Sequence, residues 1–180
     1  MLFYDDFEAA QDPLTGEAGE VRWEGSELRM LVSQAGRTAT AGFKGASATD
    51  YRLHVTARPV RLHPGSRYGV MVRMDPDRVA RGGYWFSVRG DGTCQACIEG
   101  SDRTRTCPVE GRTCPAEPTG ENQMVIEVLG STLSFWLNGT LVATFEDESH
   151  PSGAVALYVG NDEETADTLV AFDDLTLFEP

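Results

Sequence analysis

The chain has 180 residues, 41% of them hydrophobic, with 19 glycines and 9 prolines scattered rather than clustered. This is the composition of one globular domain, spanning 1–180, with a substantial core and many turns. The formal net charge of −13, with fourteen arginines and the single Lys44 as its cations, gives little support to a duplex-binding surface, which needs clustered cations to displace phosphate counterions; no nucleic-acid partner is expected.

At the N-terminus Met1 is followed almost at once by Asp5 and Asp6, so no signal peptide is visible, and the sequence reads either as a cytoplasmic chain or as a domain excised from a longer one. No stretch approaches the roughly twenty apolar residues of a membrane helix, and this domain is not expected to insert into a bilayer. Trp23 falls in an early strand and reads as structural. Further on, Tyr51, Leu53, Val55 and Ala57 alternate with Arg52, His54, Thr56 and Arg58; Tyr68, Val70 and Val72 with Gly69, Met71 and Arg73; and Tyr84, Phe86 and Val88 with Trp85, Ser87 and Arg89. Met124, Ile126 and Val128, then Leu133, Phe135 and Leu137, continue the pattern. A period of two is the signature of half-buried strands. Asn138-Gly139, between Leu133–Leu137 and Leu141–Phe145, is the strongest short hairpin signal, because a type I′ turn needs positive φ at both central positions. Gly90-Asp91-Gly92 and Gly130-Ser131 separate two further strand pairs, and Pro115 to Gly120 is a loop between strands of one kind. Closely spaced hairpins predict an all-β fold of antiparallel sheets stacked as a sandwich or jelly roll.

Cys94, Cys97, Cys107 and Cys114 follow a C-x2-C-x9-C-x6-C spacing. A zinc knuckle wants two close pairs, and the second pair is too far apart. Two disulfides stapling a loop or hairpin insertion at about 94–114 are the preferred reading; a structural metal and free thiols are the alternatives. Four cysteines allow three pairings, and spacing does not choose among them. Disulfides would place maturation outside the reducing cytoplasm.

Several segments together resemble concanavalin A-like domains. They are Phe3-Tyr4-Asp5-Asp6-Phe7, Asp50–Val55, Tyr68–Arg73, Gly83-Tyr84-Trp85-Phe86, Leu133–Gly139, Ser152–Leu157 and the closing Ala171-Phe172-Asp173-Asp174-Leu175. Their order and spacing are similar to the laminin-G-like and 3-keto-disaccharide-hydrolase-like branch, which includes domains appended to bacterial surface proteins. The resemblance implies a jelly-roll sandwich of two antiparallel sheets and an extracytoplasmic or cell-surface setting. Lectins, glycosidases and spacers share this fold, so function has to come from the site.

Glycoside hydrolysis needs two carboxylates flanking the scissile bond, and the glucanases of this fold carry them as Glu-x-Asp-x-Glu on one strand. Here the strand Met124–Val128 offers only Glu127, Leu133–Leu137 offers none, and Glu146, Asp147 and Glu148 follow a hairpin. His54, His63 and His150 lie near no nucleophile elbow or metalloprotease spacing and read as surface histidines. No catalytic residue is therefore expected. The resemblance also suggests calcium beside the first and last strands, with Asp6 and Asp173 as its carboxylates; the plainer reading has one acid capping a turn and the other hydrogen-bonding backbone groups across the strand pair. Outward alternation nominates Arg73, Trp85, Arg89 and Trp136 as a ligand platform on the concave sheet, with tryptophan faces for a sugar ring or an acidic group. The alternative is that a loop, such as the cysteine-rich segment, folds over the tryptophans. Eleven of the chain's 15 cations lie between Arg52 and Arg112, either as solvated strand faces or as a face for acidic groups. The expected function is a non-catalytic recognition or spacer domain with carbohydrate as ligand. A sugar-acting enzyme of the same fold and a protein-binding sensor domain are the alternatives.

Overall fold

The computed structural model describes residues 1–8, 14–15, 19–75, 82–162 and 166–180, with side chains left out at 14, 15 and 44. In chain order the strands are β1 (Phe3–Asp5), β2 (Leu14–Thr15), β3 (Glu20–Glu24), β4 (Glu27–Val32), β5 (Arg37–Ala48), β6 (Tyr51–Arg61), β7 (Ser66–Met74) and β8 (Gly83–Arg89). They continue as β9 (Thr93–Glu99), β10 (Arg105–Thr113), β11 (Asn122–Leu129), β12 (Thr132–Leu137), β13 (Thr140–Glu146), β14 (Gly153–Asn161) and β15 (Thr168–Phe178). Among the described residues there is no helix long and apolar enough to cross a membrane.

Two antiparallel sheets result, as the alternation predicts. The first runs β13-β12-β11-β6-β15-β4-β3, with β1 also on β15; the second runs β10-β9-β8-β7-β14-β5-β2. Between them lies the main core. The first sheet contributes Leu28, Met30, Leu53, Val55, Ile126 and Phe135, and the second contributes Tyr68, Val70, Tyr84, Phe86, Leu157 and Val159. Each such side chain contributes about 1.5–3 kcal/mol on burial. The Asn138-Gly139 turn has φ of 49° and 77°, the positive pair a type I′ hairpin requires. Pro59 sits in the central strand β6 at a register shift against β15, a place where proline costs no ladder hydrogen bond.

Both pairs of cysteines are disulfides, Cys94–Cys114 and Cys97–Cys107. Cys94 points into the main core, whereas Cys97 points to the other side of the sheet. The cysteine segment is thus the β9–β10 hairpin that forms one edge of the second sheet, rather than an insertion apart from the sandwich.

Candidate functional site: the outer face of the second sheet

Strand β8 reads Gly-Tyr-Trp-Phe-Ser-Val-Arg, so sending Tyr84, Phe86 and Val88 into the core turns Trp85, Ser87 and Arg89 outward. The register then assembles three cross-strand rows on that outer face. The first is Cys97, Trp85, Met71 and Ala156; the second is Gln95, Ser87, Gly69, Tyr158 and Thr40; the third is Arg89, Arg67, Gly160 and Thr38. One end of the face is therefore apolar and the other cationic.

The apolar end is a second, smaller core of Met71, Met74, Trp85, Cys97, Ala154, Ala156 and Tyr158, with Cys107 against it. Trp85 is only 7% exposed. Tyr158 meets its ring edge-on at 4.8 Å, and the Arg105 guanidinium from β10 lies 4.4 Å from its centroid. Arg105 is held there by the buried Glu99 carboxylate at 2.6 Å. The ring is enclosed by the cysteine-rich hairpin, the second of the two arrangements the sequence left open, and presents no open stacking face. Among the described residues the Trp85 Nε1 and Thr40 Oγ1 atoms are buried without a hydrogen-bond partner.

At the cationic end, Arg67 crosses β14 over Gly160, where a Cβ would come within 2.6 Å of its Nε atom. Asp162 binds its Nη1, and Nη2 donates to Thr38 Oγ1 at 3.3 Å. Arg89 is directly opposite Arg67. Its side chain is 30% exposed, with Asp91 Oδ2 4.0 Å from Nε. Burial pushes the Tyr158 hydroxyl above its ordinary pKa, while a hydrogen bond with Ser87 and the charges of Arg67, Arg105 and Arg89 pull it back. Three guanidinium groups thus act on one hydroxyl.

The remaining nominated residues lie elsewhere. Arg73 does not face outward: β7 bulges against β14 between Met71 and Met74, so alternation fails by one residue, and Arg73 takes φ 51°. Its guanidinium turns into the end of the sandwich, donating to the Thr49 carbonyl at 2.6 Å and the His150 carbonyl at 3.2 Å. The cavity of about 210 Å³ beside it, lined by Gly82, Ser101, His150 and Ser152, is off the outer face. Trp136 does face outward, but from the first sheet, beside Val125 and Leu141. Alternation fixes which side of a strand a residue takes, not which sheet the strand joins, so only Trp85 and Arg89 of the four share a surface.

Asp6 and Asp173 each accept from a following backbone N–H, that of Glu8 at 3.2 Å and of Asp174 at 2.9 Å. Among the described residues no three His, Cys, Asp or Glu side chains gather into a metal site, and calcium takes 6–8 oxygen ligands. These donors do not make the site by themselves. We expect millimolar calcium to leave the melting temperature of metal-free protein unchanged; a rise that Asp173→Ala abolishes would establish the ion there, by mass action on the folded state.

Carboxylates on the outer face are engaged. Glu99 is paired with Arg105 and Asp162 with Arg67. Bonds from the Thr93 hydroxyl and N–H hold Asp91 below the usual carboxylate range. Among the described residues, the carboxyls held above that range by burial are Asp5 and Asp173, both in the first sheet. Sequence reasoning missed Arg67, Gln95, Glu99, Arg105 and Tyr158. Arg67 was within reach, since it shares the outward parity of Gly69 and Met71. Glu99 and Arg105 flank a turn inside a segment with no clear alternation.

A two-sheet jelly roll of this strand order is a concanavalin A-like sandwich. Residues 17–177 match the 3-keto-alpha-glucoside-1,2-lyase-like domain, and the chain belongs to that family. Among solved structures it is similar to the carbohydrate binding module CBM66 from Bacillus subtilis, with TM-score 0.71, 18% identity, and coverage of 91% of this chain and 92% of that one. It is also similar to a prokaryotic beta-1,3-1,4-glucanase (lichenase) from a mouse hindgut metagenome, with TM-score 0.72, 9% identity, and coverage of 99% and 98%. The Bacillus licheniformis beta-glucanase gives TM-score 0.70 at 9% identity, covering 99% and 98%. At these identities the likeness is one of fold. No curated protein matches the chain by sequence.

Proposed function

We propose that this domain is a non-catalytic carbohydrate-recognition module of an extracytoplasmic protein, binding through the cationic end of the outer face of the second sheet. The observation that carries this reading is Arg89. Its side chain stands part-exposed at the rim of a disulfide-braced floor, and makes no hydrogen bond among the described residues. Half-buried Thr38 lies at the far end of the same row, where it accepts from Arg67, and half-buried Gln95 lies in the adjoining row, its Nε2 donating to Glu110 Oε1 at 3.4 Å. A fixed, unspent guanidinium at the edge of a packed apolar floor is how a binding site orients a polar ligand. The absence of catalysis is supported by the engaged carboxylates, because a general acid needs a raised pKa and a free proton within reach of the bond. The two disulfides support an oxidising compartment.

A glycan array with the purified domain tests the reading. The parent should bind at least one glycan class without releasing reducing ends, and Arg89→Ala should weaken that binding about tenfold, the loss of one charge-assisted hydrogen bond. An array with no bound glycan, or new reducing ends released from a bound one, would sink it.

A further inference from the structure

Arg67 and Arg89 face each other directly across β7 and β8. Residues so placed have Cβ atoms about 4.5–5.5 Å apart, and like charges there repel. Only one of the two is neutralised at close range: Arg67 is clamped by Asp162 and Thr38. Arg89 has only Asp91, at 4.0 Å and beyond hydrogen-bonding distance. The other oxygen of Asp91 is taken by the Thr93 N–H at 3.0 Å and hydroxyl at 2.6 Å. Asp91 thus sits toward Nε of Arg89, while the two terminal nitrogens have no protein partner among the described residues. Between Ser87 and Tyr158 in the next row, Gly69 contributes no side chain. Arg105 adds a third positive charge over the Trp85 ring. Each of the three arginines has a carboxylate beside it, Asp162, Glu99 and Asp91, so what the face offers an anion is the two terminal nitrogens of Arg89 rather than an excess of positive charge.

We infer that the ligand of this face is an acidic saccharide whose ring carboxylate is taken by Arg89. The inference rests on the carbohydrate-recognition reading above and names the ligand class for the same surface. The planar fork of Arg89 matches a carboxylate with two parallel N–H···O bonds. Arg67, neutralised and locked by Asp162, walls one side of the site, and an anion on Arg89 relieves the repulsion that the facing pair otherwise carries.

The test uses the intact domain and calorimetric titration with oligomers of galacturonate, mannuronate and glucuronate. Each is paired with its methyl ester, which keeps the ring and removes the charge, and a carrageenan tetrasaccharide supplies sulfate without carboxylate. At least one uronate oligomer should bind ten times more tightly than its ester. Arg89→Ala should lose that advantage, and Arg89→Lys should restore only part of it, because an ammonium lacks the fork. The advantage should shrink in 1 M salt, where screening acts within about 3 Å. Esters binding as well as acids, or neutral glycans alone binding, would overturn the acidic-ligand inference and leave carbohydrate recognition standing. Carrageenan binding as tightly as the uronates would overturn the carboxylate assignment in favour of sulfate. No binding by any charged or neutral glycan would remove both readings together.

Discussion

Arg73→Ala should lower the unfolding free energy by about 2–6 kcal/mol, the cost of leaving two buried carbonyls without their donor. The Arg73 side chain is 1% exposed. Its Nε and Nη2 both donate to the Thr49 carbonyl, at 3.2 and 2.6 Å, and Nη1 donates to the His150 carbonyl at 3.2 Å. Asp50, 3.5 Å from Nη2, accepts in turn from the Gly130 N–H at 2.8 Å. One guanidinium therefore ties the β5–β6 turn to the β13–β14 loop and, through Asp50, to the β11–β12 turn. Alanine leaves two carbonyls facing the vacated space, each worth about 1–3 kcal/mol when unsatisfied. Lysine keeps the charge without the fork, so Arg73→Lys should fall between parent and alanine. Arg73→Gly should lose less than Arg73→Ala, because φ 51° costs an L-residue about 1–2 kcal/mol that glycine does not carry. Urea midpoints at constant m-value read all three. A loss below about 1 kcal/mol for alanine would mean that water satisfies those carbonyls.

The strands were legible because the main core is built by alternation. β6, β11 and β12 bury every second residue, and the Asn138-Gly139 turn is written in the only residue types that take its φ values at low cost. β14 was harder to read: as an inner strand of the second sheet it is buried on both faces, so its apolar run has no period. The bulge that turns Arg73 inward carries no marker, because a positive φ on arginine is paid for by tertiary hydrogen bonds that no local pattern records. The same is true of His150, a surface histidine by sequence. Its ring accepts from the Gly83 N–H at 3.1 Å, lies 2.8 Å from the Glu99 carbonyl and stands edge-on to Tyr84. The cysteine pairing and the capping of Trp85 by Arg105 depend on how β10 folds back on β9, across two register shifts. Spacing could not give that register, and so half of the candidate site was invisible in the sequence.

Trp85→Ala should cost about 3–5 kcal/mol, as for other buried aromatic residues, although its strand position faces away from the main core. The ring supports one side of Tyr158 and carries Arg105, and removing it strips the second core of its largest member. Trp85→Phe separates packing from polarity. Phenylalanine keeps the aromatic contact with Tyr158 and a face for Arg105, and it removes an indole N–H that is buried without a partner among the described residues. An unsatisfied buried donor costs about 1–3 kcal/mol, which offsets much of the lost area, so the net change should be about 1 kcal/mol or less. An enclosed ring has no surface left for a sugar, so Trp85→Phe should also leave saccharide affinity within about twofold, whereas Arg89→Ala loses about tenfold, close to the 1.4 kcal/mol that a decade represents. Far-ultraviolet circular dichroism should be unchanged for Trp85→Phe and Arg89→Ala alike. If Trp85→Phe instead loses binding as fully as Arg89→Ala, with stability intact, then the indole N–H has its partner in the ligand. In that case Arg105 must swing away from the ring when the saccharide arrives.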